Sequence, residues 1–248
     1  MRPVHALRGV KNRSMRLVRR LARRRLPARG DYRETWSRLA QTERSAALHV
    51  AGDKTSEEFA ASGAEIAAAL DSTVGLRSDD VVLEIGCGIG RVGAVVAPRV
   101  KEWIGCDVAP EMLRYAQKRL EGQSGVRLVQ ISGWDLGTIP AESVDVVYCT
   151  VVFMHLDEWD RYQYVVEAMR VLRPAGRLYV DNFNLLSDEG WRIFEIHRAT
   201  FHPSERPPHI SKSSTPQELR TYLERAGFEE VTIEESGPWV RAFGKVPD

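Results

Sequence analysis

Val81-Val-Leu-Glu-Ile-Gly-Cys-Gly-Ile-Gly-Arg-Val-Gly93 decides how the rest of this 248-residue chain is read. An apolar, β-branched run carries Glu84 near its end, then breaks into glycines at 86, 88 and 90. The pattern predicts a buried strand turning sharply into a helix. Glycine at the turn leaves the backbone bare, so a ligand can reach the main-chain N–H groups. The helix N-terminus beside it favours an anionic group such as a carboxylate.

Outward from this stretch, strands and helices alternate. Strand-like runs occur at 102–106, 126–131, 144–149 and 177–181, after the one at 81–85. Helical stretches are expected at 91–98, 110–120 and 158–172. That alternation predicts parallel pairing and a layered α/β domain. Upstream, a helix is expected over 32–48, and Thr55-Ser-Glu-Glu58 is a capping box opening another that ends near Leu70. Downstream, Thr215 and Pro216 open a helix that Gly227 stops. Two strands follow, 228–234 and 239–246, joined so closely at Ser236-Gly-Pro238 that they suit an antiparallel hairpin. The stretch between Asn182 and Ser214 is too long for a simple connection, so a lid or substrate-facing insertion is expected there.

The glycine turn points to an adenosine-containing ligand, but two cofactor classes compete for it. Residues 88–93 satisfy G-x-G-x-x-G, which alone admits a nicotinamide-dependent oxidoreductase. Glu84, two residues before the first glycine, would repel a pyrophosphate and welcome a cationic amino-acid arm. Asp107, 17 residues past Gly90, ends the second strand. A carboxylate there can take both ribose hydroxyls in charge-assisted hydrogen bonds.

Together with Trp134-Asp135, the strand 145–149 and Leu172-Arg-Pro-Ala-Gly-Arg-Leu178, these segments resemble the ordered motifs of class I S-adenosylmethionine-dependent methyltransferases. The resemblance covers residues 56–246. It implies a Rossmann-like three-layer α/β sandwich whose seven-stranded sheet has the order 3-2-1-4-5-7-6, strand 7 antiparallel. It also implies a methyltransferase domain over 31–248, with N-terminal helices and an insertion at about 182–214. Gly86, Cys87, Gly88 and Gly90 would line the methionine end of S-adenosylmethionine, and Glu84 would orient that end. Asp107, with Val108 beside it, would hold the ribose. Asp135 matches the position that accepts from the adenine amino group, with Trp134 and Leu136 flanking the ring. Cys149 and Thr150 end the fourth strand, whose carboxyl edge faces the ligand crevice.

Methyl transfer needs alignment and exclusion of water more than covalent catalysis. A hydroxyl acceptor also needs a base, and His155, just beyond the fourth strand, is the best placed candidate. His197, His202 and His209 in the insertion are alternatives. Met154, Trp103 and Trp159 are expected in the core. The expected reaction is methylation of an oxygen, less readily a nitrogen, on a small or medium-sized acceptor. The Asp/Asn-Pro-Pro-Tyr/Phe signature of amide and adenine methylation is missing, as is the proline that precedes the cysteine of cytosine-C5 enzymes. No DNA-reading module is recognisable. The rivals are the oxidoreductase, a non-catalytic cofactor-binding module, and an RNA methyltransferase.

That last rival rests on residues 1–30, which hold eleven Lys/Arg and no acidic residue. The remaining chain has 24 basic against 34 acidic residues. A basic amphipathic segment suits an RNA, an anionic membrane or an organellar address. A disordered solubilising tail is the alternative. Cys87, Cys106 and Cys149 show no zinc-type spacing, so no metal is expected. Three buried thiols suit a cytoplasmic protein, peripheral to a membrane if the basic segment binds one.

Overall fold

The computed structural model describes residues 31–248. Residues 1–30, and every expectation attached to them, lie outside the described residues. Among the described residues, no helix is long and apolar enough to cross a membrane.

The strands are β1 (Val81–Ile85), β2 (Glu102–Asp107), β3 (Val126–Gln130), β4 (Val144–Cys149), β5 (Leu172–Asn184), β6 (Ser213–Ser214), β7 (Glu229–Ser236) and β8 (Trp239–Lys245). They form one sheet in the order β3-β2-β1-β4-β5-β8-β7, with β6 pairing beside β5. The first five are mutually parallel, and β8 runs antiparallel to both neighbours. The order is the expected one once the extra strand is counted. Ser213–Ser214 makes eight strands instead of seven, pairing in parallel with Phe183 and Asn184 where β5 outruns β4.

Every residue of β1 is buried, as a central parallel strand covered on both faces requires. Alternation sends Leu83 and Ile85 to the layer of α6 (Glu158–Val171) and α8 (Pro216–Ala226). It sends Val82 to the other face with Trp103, Tyr148 and Leu70 of α3 (Ser56–Thr73). A third cluster joins Ala40, Ala46 and Phe59 of the N-terminal helices to Ile89 and to Met112 of α5 (Pro110–Arg119). This last cluster seats the helical cap on the glycine turn.

The single helix expected over 32–48 is two, α1 (Tyr32–Leu39) and α2 (Glu43–Ala51). The break falls at Thr42, whose extended backbone and hydroxyl, accepting from the Ser45 N–H, start a new helix. The helix expected over 91–98 shrinks to α4 (Gly93–Val96) and a 3-10 turn at Ala97–Arg99 that contains Pro98. The capping box at Thr55 and Glu58 is formed in both directions. Thr215 caps α8, and Gly227 ends it at φ 102°. Within the long connection after β5, Ser187 caps α7 (Asp188–Thr200), and the chain returns through Lys212, whose N–H donates to the Met154 carbonyl.

Candidate active site

Gly86, Gly88 and Gly90 have φ of 72°, 53° and 76°, a region that side chains disfavour. A Cβ at Gly86 would lie 2.3 Å from Val152 Cγ2, and one at Gly88 2.9 Å from Val50 Cγ2. Val50 belongs to α2 and Val152 follows β4, so two distant segments close over the bare turn. The empty Cβ position of Gly90 instead faces Ala116 and Leu120, which makes it a helix-packing residue.

A cavity opens over this turn at the carboxyl ends of β1, β2 and β4, with about 790 Å³ of space including its mouth. Its floor includes Glu84, Gly86, Cys87, Gly88, Asp107 and Val108. Its cover comes from Tyr32, Trp36, His49 and Val50 on one side and from residues 150–152 and His155 on the other.

Glu84 and Tyr148 are register partners on adjacent strands, and the Tyr148 hydroxyl donates to Glu84 Oε2 at 2.6 Å. The same hydroxyl accepts from Trp103 Nε1 at 3.0 Å. Burial pushes the Glu84 carboxyl up to about 8 despite the Tyr148 hydrogen bond. Asp107 receives the N–H groups of Gly88 and Ala109, each at 2.9 Å, one on each oxygen. Burial raises it to about 6, with those hydrogen bonds opposing the rise. Arg91 donates Nη1 to Ser62, and its buried Nε has no hydrogen-bond partner.

Asp181, at the carboxyl end of β5, accepts from Thr150 Oγ1 at 2.5 Å and from the Val151 N–H at 2.8 Å. It holds Val151 at φ 59°, unusual for a β-branched residue, in the cavity wall.

Of the expected site residues, the fold gathers Glu84, Gly86, Cys87, Gly88, Asp107, Val108 and His155 around one cavity. Gly90, Trp134, Asp135 and Cys149 are outside its lining. Trp134 is 61% exposed, and Asp135 closes its own turn by accepting from Ser132 Oγ and the Gly137 N–H. Gly133 and Ile131 border the cavity from that loop instead. Cys149 is packed in the core, and Thr150 to Val152 take its place in the wall. Trp103 and Met154 are buried as expected, whereas Trp159 is 68% exposed on the first turn of α6. His155 Nδ1 donates to the His209 carbonyl, and its ring meets Trp36 edge-on at 4.8 Å. Burial lowers it to about 4.

Sequence reasoning missed Tyr32, Trp36, His49, Arg91 and Asp181. Arg91 was within the motif, and its charge directly after the glycines was a usable signal. The helical-cap residues gave none, because only the long-range packing of α1 and α2 brings them to the cavity.

Comparison with known proteins agrees with this geometry. Residues 83–180 match the family model described as a methyltransferase domain. A Mycolicibacterium smegmatis protein described as a probable S-adenosylmethionine-dependent methyltransferase is 33% identical over 153 residues, 60% of this chain and 51% of its own. The stretch 83–180, which carries the glycine turn, is thus similar to methyltransferase domains. An O-methyltransferase family protein from Burkholderia thailandensis shares the fold at TM-score 0.65 and 17% identity, covering 86% of this chain and 62% of that one. Magnesium protoporphyrin IX methyltransferase from Synechocystis, solved with S-adenosylhomocysteine, does so at 0.59 and 16%, covering 86% and 93%. The match spans between 3% and 60% of the length of such curated relatives.

The cavity suits S-adenosylmethionine, the cofactor of the proteins it resembles, on three counts. Gly86 and Gly88 put bare backbone in the cavity lining, with no side chain of their own between it and a ligand. Two buried carboxyl groups can meet an ammonium and a ribose diol, and a cation beside Glu84 favours its ionised form. The orphaned Nε of Arg91 is a donor that a carboxylate would satisfy.

Proposed function

We propose that the chain transfers a methyl group from S-adenosylmethionine to an oxygen of a small or medium-sized acceptor. The observation that carries this reading is a single cavity in which a glycine cradle and two buried carboxylates meet an imidazole-bearing wall. When bound, the cofactor supplies a methyl group on a cationic sulfur, electrophilic without further activation.

The chain's own residues then hold, align and dry the reactants. Glu84 would pair with the ammonium, Arg91 Nε with the carboxylate, and Asp107 with the ribose hydroxyls. The loop bearing Gly133, Trp134 and Asp135 would flank the adenine, with Cys149 behind the methyl-transfer point. Tyr32 and Trp36 cover the cavity against water. Oxygen is favoured because a hydroxyl must give up its proton, and two imidazoles, His49 and His155, line the wall. A carbonyl can only accept, so the contact with His209 puts the His155 proton on Nδ1 and leaves the lone pair on Nε2. The Burkholderia thailandensis fold relative is described as an O-methyltransferase family protein, and a Leptothrix cholodnii relative as a ubiquinone biosynthesis O-methyltransferase, which supports this acceptor atom. Three free, buried cysteines suit a reducing cytoplasm.

The test is calorimetry with S-adenosylhomocysteine, followed by incubation with methyl-labelled cofactor and a small-molecule cell extract. Binding and a labelled O-methyl product are expected. A response to NADPH with none to S-adenosylhomocysteine would overturn the proposal.

A further inference from the structure

We infer that His49, on the second helix of the N-terminal cap, is the group that takes the acceptor's proton. The inference rests on the methyl-transfer reading above and names its base.

Three observations single out His49. It lines the cavity, on the same helix as Val50, whose side chain packs over Gly88. Its Nδ1 contacts the Ser45 carbonyl at 2.8 Å, one helical turn back. A carbonyl oxygen cannot donate, so Nδ1 carries the proton and Nε2 keeps the lone pair. The ring is half-buried, leaving a way for a captured proton to reach water.

His155 is the competing imidazole, and its surroundings suit it less. Its ring is packed edge-on against Trp36. Burial, the largest influence on it, keeps it neutral down to about pH 4, so a proton placed there is poorly held. His155 then serves as wall and as an anchor for the His209 backbone. The His49 and His209 rings meet edge-on at 5.8 Å, which ties the base to the insertion's return path.

In the step, the hydroxyl oxygen gains the methyl group as its proton passes to His49 Nε2. The methyl–sulfur bond breaks with its electron pair left on sulfur, which becomes a neutral thioether. The resulting imidazolium returns its proton to water when product leaves.

Two measurements test this. Cofactor labelled with ¹³C in its methyl group, bound to the full wild-type chain, should show a nuclear Overhauser contact to the His49 ring protons. His49→Gln should bind S-adenosylhomocysteine within about twofold of wild type. It should also transfer at least a hundredfold less label to the small-molecule extract. Absence of the His49 contact, with methyl contacts to other residues present, would overturn the inference. So would a His49→Gln variant that transfers label as fast as wild type. Wild type that binds S-adenosylhomocysteine but labels no acceptor would instead overturn the methyl-transfer reading, and the inference with it.

Discussion

Tyr148 and Glu84 face each other across two parallel strands, and the phenol donates to the carboxyl at 2.6 Å while accepting from the Trp103 indole. All three side chains are buried, so each polar atom depends on this chain of contacts. Tyr148→Phe leaves the indole N–H and one carboxyl oxygen unpaired. The expected loss is about 1–3 kcal/mol of stability. Urea unfolding of the two proteins at pH 6 measures it, and an unchanged midpoint and slope would contradict the contact.

The raised Glu84 carboxyl sets a pH dependence. Its value in the folded protein is about 8 against 4.5 for the ordinary group. Between those values the folded state holds more protons than the unfolded state, so stability falls as pH rises through that window. Asp107, raised to about 6, adds to the fall between its own usual value of 3.8 and 6. Glu84→Gln should flatten the decline between about pH 6 and 8 in thermal melts. A cation beside Glu84 favours its ionised form, so binding of S-adenosylhomocysteine should tighten across the same window and release a proton. Calorimetry in buffers of different ionisation enthalpy detects that proton, which the variant should not release.

Asp107→Ala should weaken S-adenosylhomocysteine binding by about 1.5–3 kcal/mol, the scale of hydrogen bonds to a charged group. The same change strands the N–H groups of Gly88 and Ala109 that shape the turn. A lower melting temperature should therefore accompany the weaker binding. Unchanged affinity in calorimetry would remove Asp107 from the cofactor site.

Asp181 tests whether the bent wall of the cavity is held from β5. It accepts from Thr150 and from the strained Val151, and Asn can serve only one of those donors well. Asp181→Asn should cost about 1–3 kcal/mol of stability. It should also weaken S-adenosylhomocysteine binding, because Val151 lines the cavity. Wild-type affinity with reduced stability would confine Asp181 to a structural role.

The sheet was readable because its signals are local. The runs at 81–85 and 144–149 are short, apolar and bounded by turn residues, and both strands have those ends. Thr55, Thr215 and Gly227 marked helix ends through capping chemistry that acts within four residues. Elements set by pairing across the sheet were harder. β5 begins at 172, where Leu172 pairs with Val144 of β4, and extends past 181 to 184 because β8 and β6 pair with its outer end, partnerships invisible in residues 177–181 alone.

The sequence by itself determined the α/β alternation, the strand order through its family motifs, and the glycine turn with Glu84 and Asp107 beside it. Each of these follows from hydrophobic period, bare backbone, or a charge at a strand end, and all are carried by neighbours along the chain. Tertiary structure alone decided what covers that turn. Packing brings Trp36 of the helical cap against His155 and His49 against His209. It also sets Asp181 under Val151 and leaves Trp134, Asp135 and Cys149 just outside the cavity lining. Those placements depend on contacts between segments tens of residues apart, which no local pattern encodes.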